Sequence, residues 1–178
     1  VEKYASEYLK ADLKAGKIEL TVWKSFPYIK LDATEIHLKS RSLDGQPDSI
    51  LAKLPADASR LLDADALSAS INPWKLLRGC VSLGDIKING LGIHLVAYSP
   101  EITNYDILPP SEPSEDSQQM RFEFDEISIS ANRGISYFDV SSGIDARLVS
   151  PLLSATQNKD IIHLDFKTPA DLSLSGHK

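Results

Sequence analysis

Groups that do chemistry are scarce in these 178 residues. A single cysteine, Cys80, cannot form an intramolecular disulfide; it leaves the redox compartment open and, with no His or Lys beside it in the sequence, points to no reactive role. Basic residues are outnumbered, 19 against 25 acids, and the formal charge of -6 argues against a nucleic-acid partner, whose phosphates demand a basic face. No run approaches the roughly 18 apolar residues of a membrane span, and no signal peptide opens the chain. Its start at Val1 rather than Met hints at a piece of something longer. Glycine-rich phosphate loops and a G-x-S-x-G elbow are missing too.

The remaining polar candidates are weak. His37, His94, His163 and His177 are scattered, and only His163 and Asp165 would share one face of a strand. A zinc site needs three or four converging ligands, so solvent-facing positions on a half-buried sheet are expected, and no cofactor. Asp139 and Asp145 bracket a Ser-Ser-Gly turn, where Asp is favoured for local hydrogen bonds, and no spacing argues for an acid–base pair. Trp23 and Trp74 could stack on a sugar, but isolated tryptophans are more often packing anchors. Enzyme activity is not expected.

What is present is alternation. Hydrophobic residues make up 42%, enough for a globular core. Residues 1–15 carry Val1, Tyr4, Ala5, Tyr8, Leu9 and Leu13 at 3.6-residue spacing and predict a helix, with Gly16 as its C-cap. From Lys17 the period becomes two: Ile18, Leu20 and Val22 on one face, a break at Phe26-Pro27, then Ile29, Leu31 and Ala33. Ile36 and Leu38 have the opposite parity, which predicts a bulge at Thr34-Glu35. Residues 43–55 are turn-rich, with Ile50 to Leu54 readable as helix or strand. Strand chemistry returns over residues 59–71, followed by an amphipathic turn over residues 73–79.

Alternation resumes with Val81 and Leu83, Ile86 and Ile88, then Leu91, Ile93 and Leu95. Asn89-Gly90 within it reads as a type I′ hairpin or as the kink of one long strand. Residues 109–119 (PPSEPSEDSQQ) read as a mobile loop. Beyond it come Phe122, Phe124, Ile127 and Ile129, a turn at Asn132-Arg133-Gly134 with residues 135–140 pairing back, then strands over residues 144–149, 160–167 (Ile162, Leu164, Phe166) and 170–175. Short turns between sequential strands imply an antiparallel meander. The fold class is thus α+β, mainly β: an N-terminal helix and a long, strongly twisted antiparallel sheet. Residues 1–108 form the helix and first sheet unit, residues 109–119 the loop and residues 120–178 the second unit.

One 15-residue helix cannot cover a sheet of this size, and an apolar face left open normally marks a binding surface. The face consists of Ile18, Leu20, Val22, Ile29, Leu31, Ile86, Ile88, Ile93, Leu95, Ile127, Ile129, Ile162, Leu164 and Phe166. Three readings follow: a lipid-handling module, an adaptor that binds proteins by strand addition, and a sugar-binding sandwich using Trp23 or Trp74.

The order of several motifs resembles the N-terminal region of AsmA-like proteins, membrane-anchored envelope proteins of Gram-negative bacteria. These motifs are Phe26-Pro27-Tyr28-Ile29-Lys30-Leu31, Pro73-Trp74-Lys75-Leu76-Leu77-Arg78-Gly79, the alternation from Val81 to Leu95, and Asn104-Tyr105-Asp106-Ile107-Leu108. Phe124-Asp125-Glu126-Ile127-Ser128-Ile129 and Ile135-Ser136-Tyr137-Phe138-Asp139 resemble the family's second unit. One departure is Gly92 beside Leu91, where the family often has proline; the family pattern favours a long kinked strand there. The resemblance implies an inner-membrane helix before Val1, a periplasmic location and a gutter-like sheet whose concave apolar face carries phospholipid or other acyl chains. It also implies a part in outer-membrane biogenesis and protein targeting, with other envelope proteins as partners.

Overall fold

The structure, a computed structural model, describes residues 9–22, 26–108, 121–158, 161–168 and 172–176. The strands are β1 (Ala11–Lys14), β2 (Lys17–Thr21), β3 (Ile29–Ser40), β4 (Arg60–Ile71), β5 (Cys80–Asn89), β6 (Gly92–Ser99), β7 (Ile102–Thr103), β8 (Arg121–Ser130), β9 (Gly134–Asp139), β10 (Ile144–Leu148), β11 (Leu152–Asn158), β12 (Ile161–Lys167) and β13 (Leu172–Gly176). Two single helical turns interrupt them, α1 (Asp48–Leu51) and α2 (Pro73–Leu76). All strands belong to one sheet, which curls into an open half-barrel.

The pairing register reduces this list to seven long ribs. β5 and β6 both pair with β4, through Ala66↔Asn89 and Asp63↔Gly92, so together they form one rib running past β4. By the same logic β1 continues into β2 along β3. β8 continues into β9 along β5 and β6, β10 into β11 along β9 and β8, and β12 into β13 along β11 and β10. The ribs lie side by side in chain order.

Five of the seven ribs carry a break or a left-handed residue near their middle, at one level across the sheet, while β4 runs through that level unbroken. The breaks fall at Gly16, Glu35 (φ 52°), Gly90 (φ 64°), Gly134 (φ 83°) and Ser150 (φ 47°). Glu35 is not a bulge of the expected kind. Thr34↔Ala66 and Ile36↔Ala64 keep one register on one side, as Lys17↔Thr34 and Lys14↔His37 do on the other, so no residue is inserted. Instead the apolar parity switches together in neighbouring ribs: Ala33 to Ile36, Leu67 to Ala64, Ile88 to Leu91. This concerted switch is a crease. Hydrogen bonds between ribs survive beside it, with Gly16 N donating to Thr34 O (2.9 Å), Leu91 N to Ser130 O (3.0 Å) and Ala131 N to Pro151 O (3.0 Å).

The core lies along the crease. Ala33, Ile36, Ala64, Leu91 and Ala131 are buried, and side chains from both sides pack onto them: Leu67, Ile88 and Ile129 from one wall, Leu13, Leu62, Ile93 and Ile135 from the other. Small floor residues let the walls rise together from one apolar seam. A second cluster, Leu43, Ala58 and Val96 with Leu54, Ile102 and Phe138, closes one rim. Buried Asn104 pins it there: its side-chain amide donates to Ala58 O (2.8 Å) and His94 O (2.7 Å), and its Oδ1 accepts from Val96 N (2.9 Å).

Several expectations need correction. Residues 11–14 are strand, not helix, because Leu13 meets Leu38 across the sheet and this tertiary pairing overrides the high helical propensity of Ala, Leu and Lys; residues 1–8 lie outside the described residues. Gly16 is therefore a crease residue, not a C-cap. Of the two readings open at Asn89-Gly90, the kink that the family pattern favours is the one present, since β4 and β8 take the hydrogen bonds a hairpin would need. Gly134 likewise continues a rib, so residues 135–139 do not pair back on β8. The sheet is mixed: β5–β8 and β6–β9 are parallel and the other pairs antiparallel. β11 was not expected, its alternation being carried only by Leu153 and Ala155. Ile50 and Leu51 end a helical turn, and the expected loop over residues 109–119 lies outside the described residues.

The crease makes a quantitative demand on Gly90, whose positive φ disfavours any Cβ and where a Cβ would collide with the Asp65 carboxylate. Gly90→Ala is expected to lower stability by about 2 kcal/mol or more, read as the shift of a urea unfolding midpoint. Adding Asp65→Ala should recover the part due to collision and leave about 1 kcal/mol of backbone cost.

Candidate functional site

One face of the sheet carries the site. Starting at the first edge, Ile18, Ala33, Leu67, Ile88, Ile129, Leu153 and Phe166 stand opposite one another in register. Two residues along lies Leu20, Leu31, Ala69, Ile86, Ile127, Ala155 and Leu164. Ile29 pairs with Ile71, and Ile162 with Gln157, one step nearer the open rim. Partners in register share a face, so each row is an apolar stripe of six inter-strand steps, roughly 29 Å at about 4.8 Å per step. The opposite wall adds Leu13, Leu38, Leu62, Ile93, Ile135 and Leu148, then Leu95, Tyr137 and Ala146.

Every residue of the expected apolar set thus falls on this one face, Val22 by continuing the alternation just beyond β2. Leu62, Leu153, Ala155, Tyr137 and Leu148 belong to it as well. Leu62 and Leu148 are legible as alternation once their strands are placed, whereas Leu153 and Ala155 needed the register. No other layer covers the face among the described residues. Leu20 remains 67% exposed, Leu164 71% and Phe166 54%, all toward the two edges, while exposure falls at the crease.

The other face is polar. Lys30, Asp32, Ser68, Ser70, Asp85 and Lys87 line a shallow depression of about 320 Å³. Hydrogen bonds from Lys30 and Ser68 hold the Asp32 carboxyl below its usual value. His163 and Asp165 lie on this face opposite Thr156 and Ser154, with Lys167 3.2 Å from Asp165. Among the described residues no three His, Cys, Asp or Glu side chains converge in a metal-ligand arrangement. Asp139 makes local hydrogen bonds as its turn position suggests: Ser141 N and Oγ donate to Oδ1 at 2.8 and 2.7 Å, and this holds its carboxyl far below the usual range. Trp74 is half-exposed on α2 rather than buried; Trp23 and His177 lie outside the described residues.

Among the described residues one charged side chain is buried. Asp63 accepts from His37 Nδ1 and from Arg60 Nε, both at 2.5 Å, beside a concavity of about 580 Å³ that Asp12, Lys14, Lys39 and Asp57 also line. Burial pushes the Asp63 carboxyl up, but the hydrogen bonds and charges of His37 and Arg60 together outweigh it and leave the carboxyl below its usual 3.8. An ionised carboxylate only accepts, so His37 Nδ1 carries the proton. Arg60 already balances the charge, and the arrangement reads as a tie between β3 and the first residues of β4.

Comparisons with protein-family models, curated proteins and solved structures find no match to this chain.

Because the folded-state pKa of Asp63 is depressed, its stabilisation is present above the unfolded value near 3.8 and is lost as pH falls through that value toward the lower folded one. Asp63→Asn should flatten this acid limb in urea titrations run at stepped pH. At neutral pH the variant should be about 1–3 kcal/mol less stable, since Arg60 and His37 lose a buried partner.

Proposed function

We propose that this protein is a non-enzymatic envelope module that holds lipid acyl chains in the trough between its two apolar walls. The observation that carries the reading is the uninterrupted apolar face from β2 to β12, open to solvent toward both edges. A soluble chain that leaves Leu20, Leu164 and Phe166 open on one continuous stripe needs an apolar occupant there. Acyl chains fit that need: each buried methylene contributes about 0.8 kcal/mol without asking for a hydrogen bond. The crease supports the reading, because it turns both walls toward the same seam and leaves the polar face to water. The AsmA-like resemblance adds the setting: anchoring in the inner membrane, a periplasmic trough, and a part in outer-membrane assembly and protein targeting.

A second reading has its own observation. Every position of β12 is exposed, and its outer edge has no strand partner among the described residues. An adaptor could bind a partner's extended segment there by strand addition.

Lipid extraction and native mass spectrometry of the purified protein test the first reading. Phospholipid should copurify, and Leu164→Glu with Phe166→Glu should reduce it about tenfold or more, since two charges would face the acyl chains. Lipid-free protein with unchanged folding would overturn it. In that case crosslinking from an engineered site on β12 would decide the adaptor reading.

A further inference from the structure

The two rims of the trough differ in chemistry. At one rim the apolar side chains of the connections turn inward: Leu43, Leu54, Ala58 and Ile102 pack on Val96 and Phe138, leaving Arg41, Asp44, Asp48, Asp57, Glu101 and Asp106 around them. At the other rim they turn outward. Phe26, in the β2–β3 connection, is 70% exposed; Trp74 and Leu77, in the β4–β5 connection, are 55% and 79% exposed. These connections are neighbours, since Ile29 pairs with Ile71 immediately below them.

The exposure is built in. Asn72 Oδ1 accepts from Trp74 N and Lys75 N, Pro73 starts the turn, and Gly79 ends it at φ 77°, so α2 is a fixed knob with no buried residue. Its cations are Lys75, paired with Glu123 at 2.9 Å, and Arg78. The apolar knob also runs into the trough, through Val22 and Leu20 on one side and Ile162 on the other.

We propose that this rim docks on the interfacial region of a phospholipid bilayer, with Phe26, Trp74 and Leu77 inserted among the acyl ends and Arg78 and Lys75 level with the phosphates. Tryptophan favours that depth, and long cationic side chains beside exposed Leu and Phe reach the anions that roof an apolar layer. A protein partner is the less fitting occupant: α2 projects with no buried residue, and a bilayer receives such an exposed apolar tip. The proposal deepens the trough reading by naming where acyl chains would pass, yet it rests on the composition of the rim.

The test uses a Trp23→Phe variant, leaving Trp74 as the sole tryptophan, with mixed phosphatidylethanolamine and phosphatidylglycerol vesicles. Trp74 fluorescence should shift to the blue and be quenched by lipids brominated along the acyl chain. Phe26→Ser with Leu77→Ser, both at exposed positions, should weaken partitioning about tenfold or more with the circular dichroism unchanged. Lack of quenching in protein that carries copurified lipid overturns the docking and leaves the trough reading intact. Quenching by a protein that proves lipid-free sustains the docking and overturns the trough.

Discussion

The structure depends on one constraint: ribs held in register must change side-chain parity at the same level. In a lone strand, a parity switch throws the apolar set beyond it onto the wrong face. Here Glu35 makes that switch without an inserted residue, and β4 and the β5–β6 rib switch beside it. The left-handed geometry costs free energy at Glu35 and Ser150, while Gly90 and Gly134 adopt it freely. It is tolerated because the alternative, one rib out of step with its neighbours, would expose half of that rib's apolar side chains.

Other features follow from that seam. The floor residues Ala33, Ala64 and Ala131 are small, so the two walls approach and Leu67, Ile88, Leu62 and Ile93 reach the same cluster. The resulting core is narrow. It buries the residues next to the crease and leaves those nearer the edges, such as Leu164, in contact with water. Ion pairs on the outer face, including Lys30–Asp32 and Lys17–Glu19, are solvent-exposed and suit solubility more than stability. The buried group Asp63 is the exception, and it is matched by two partners.

The rims then divide the remaining work. Asn104 satisfies its buried amide entirely on backbone and nearby carbonyls, which locks the segments around Ala58 and Ile102 over Val96. Nothing equivalent folds over α2 among the described residues. One rim is therefore capped by a small core between the β3–β4 connection, β6, β7 and β9, while the other presents aromatic and aliphatic side chains directly. A trough with such unlike rims has a direction.

Alternation at period two determined by itself where most strands lie and which side chains are apolar: Ile86, Ile88, Ile127 and Ile129 share a face in any strand that contains them. It also marked the switch at Glu35, because parity is a local property of the chain. Only the tertiary structure decided what the switch means, since a bulge, a hairpin and a crease look alike until neighbouring ribs are aligned. The same holds for residues 11–14, whose spacing suits helix and strand equally until Leu13 finds Leu38. Parallel pairing of β5 with β8, and the outward set of Trp74 and Leu77, were likewise beyond reach of the sequence. Both depend on contacts between residues far apart in the chain, and side-chain periodicity records only which face a residue takes, never what lies across from it.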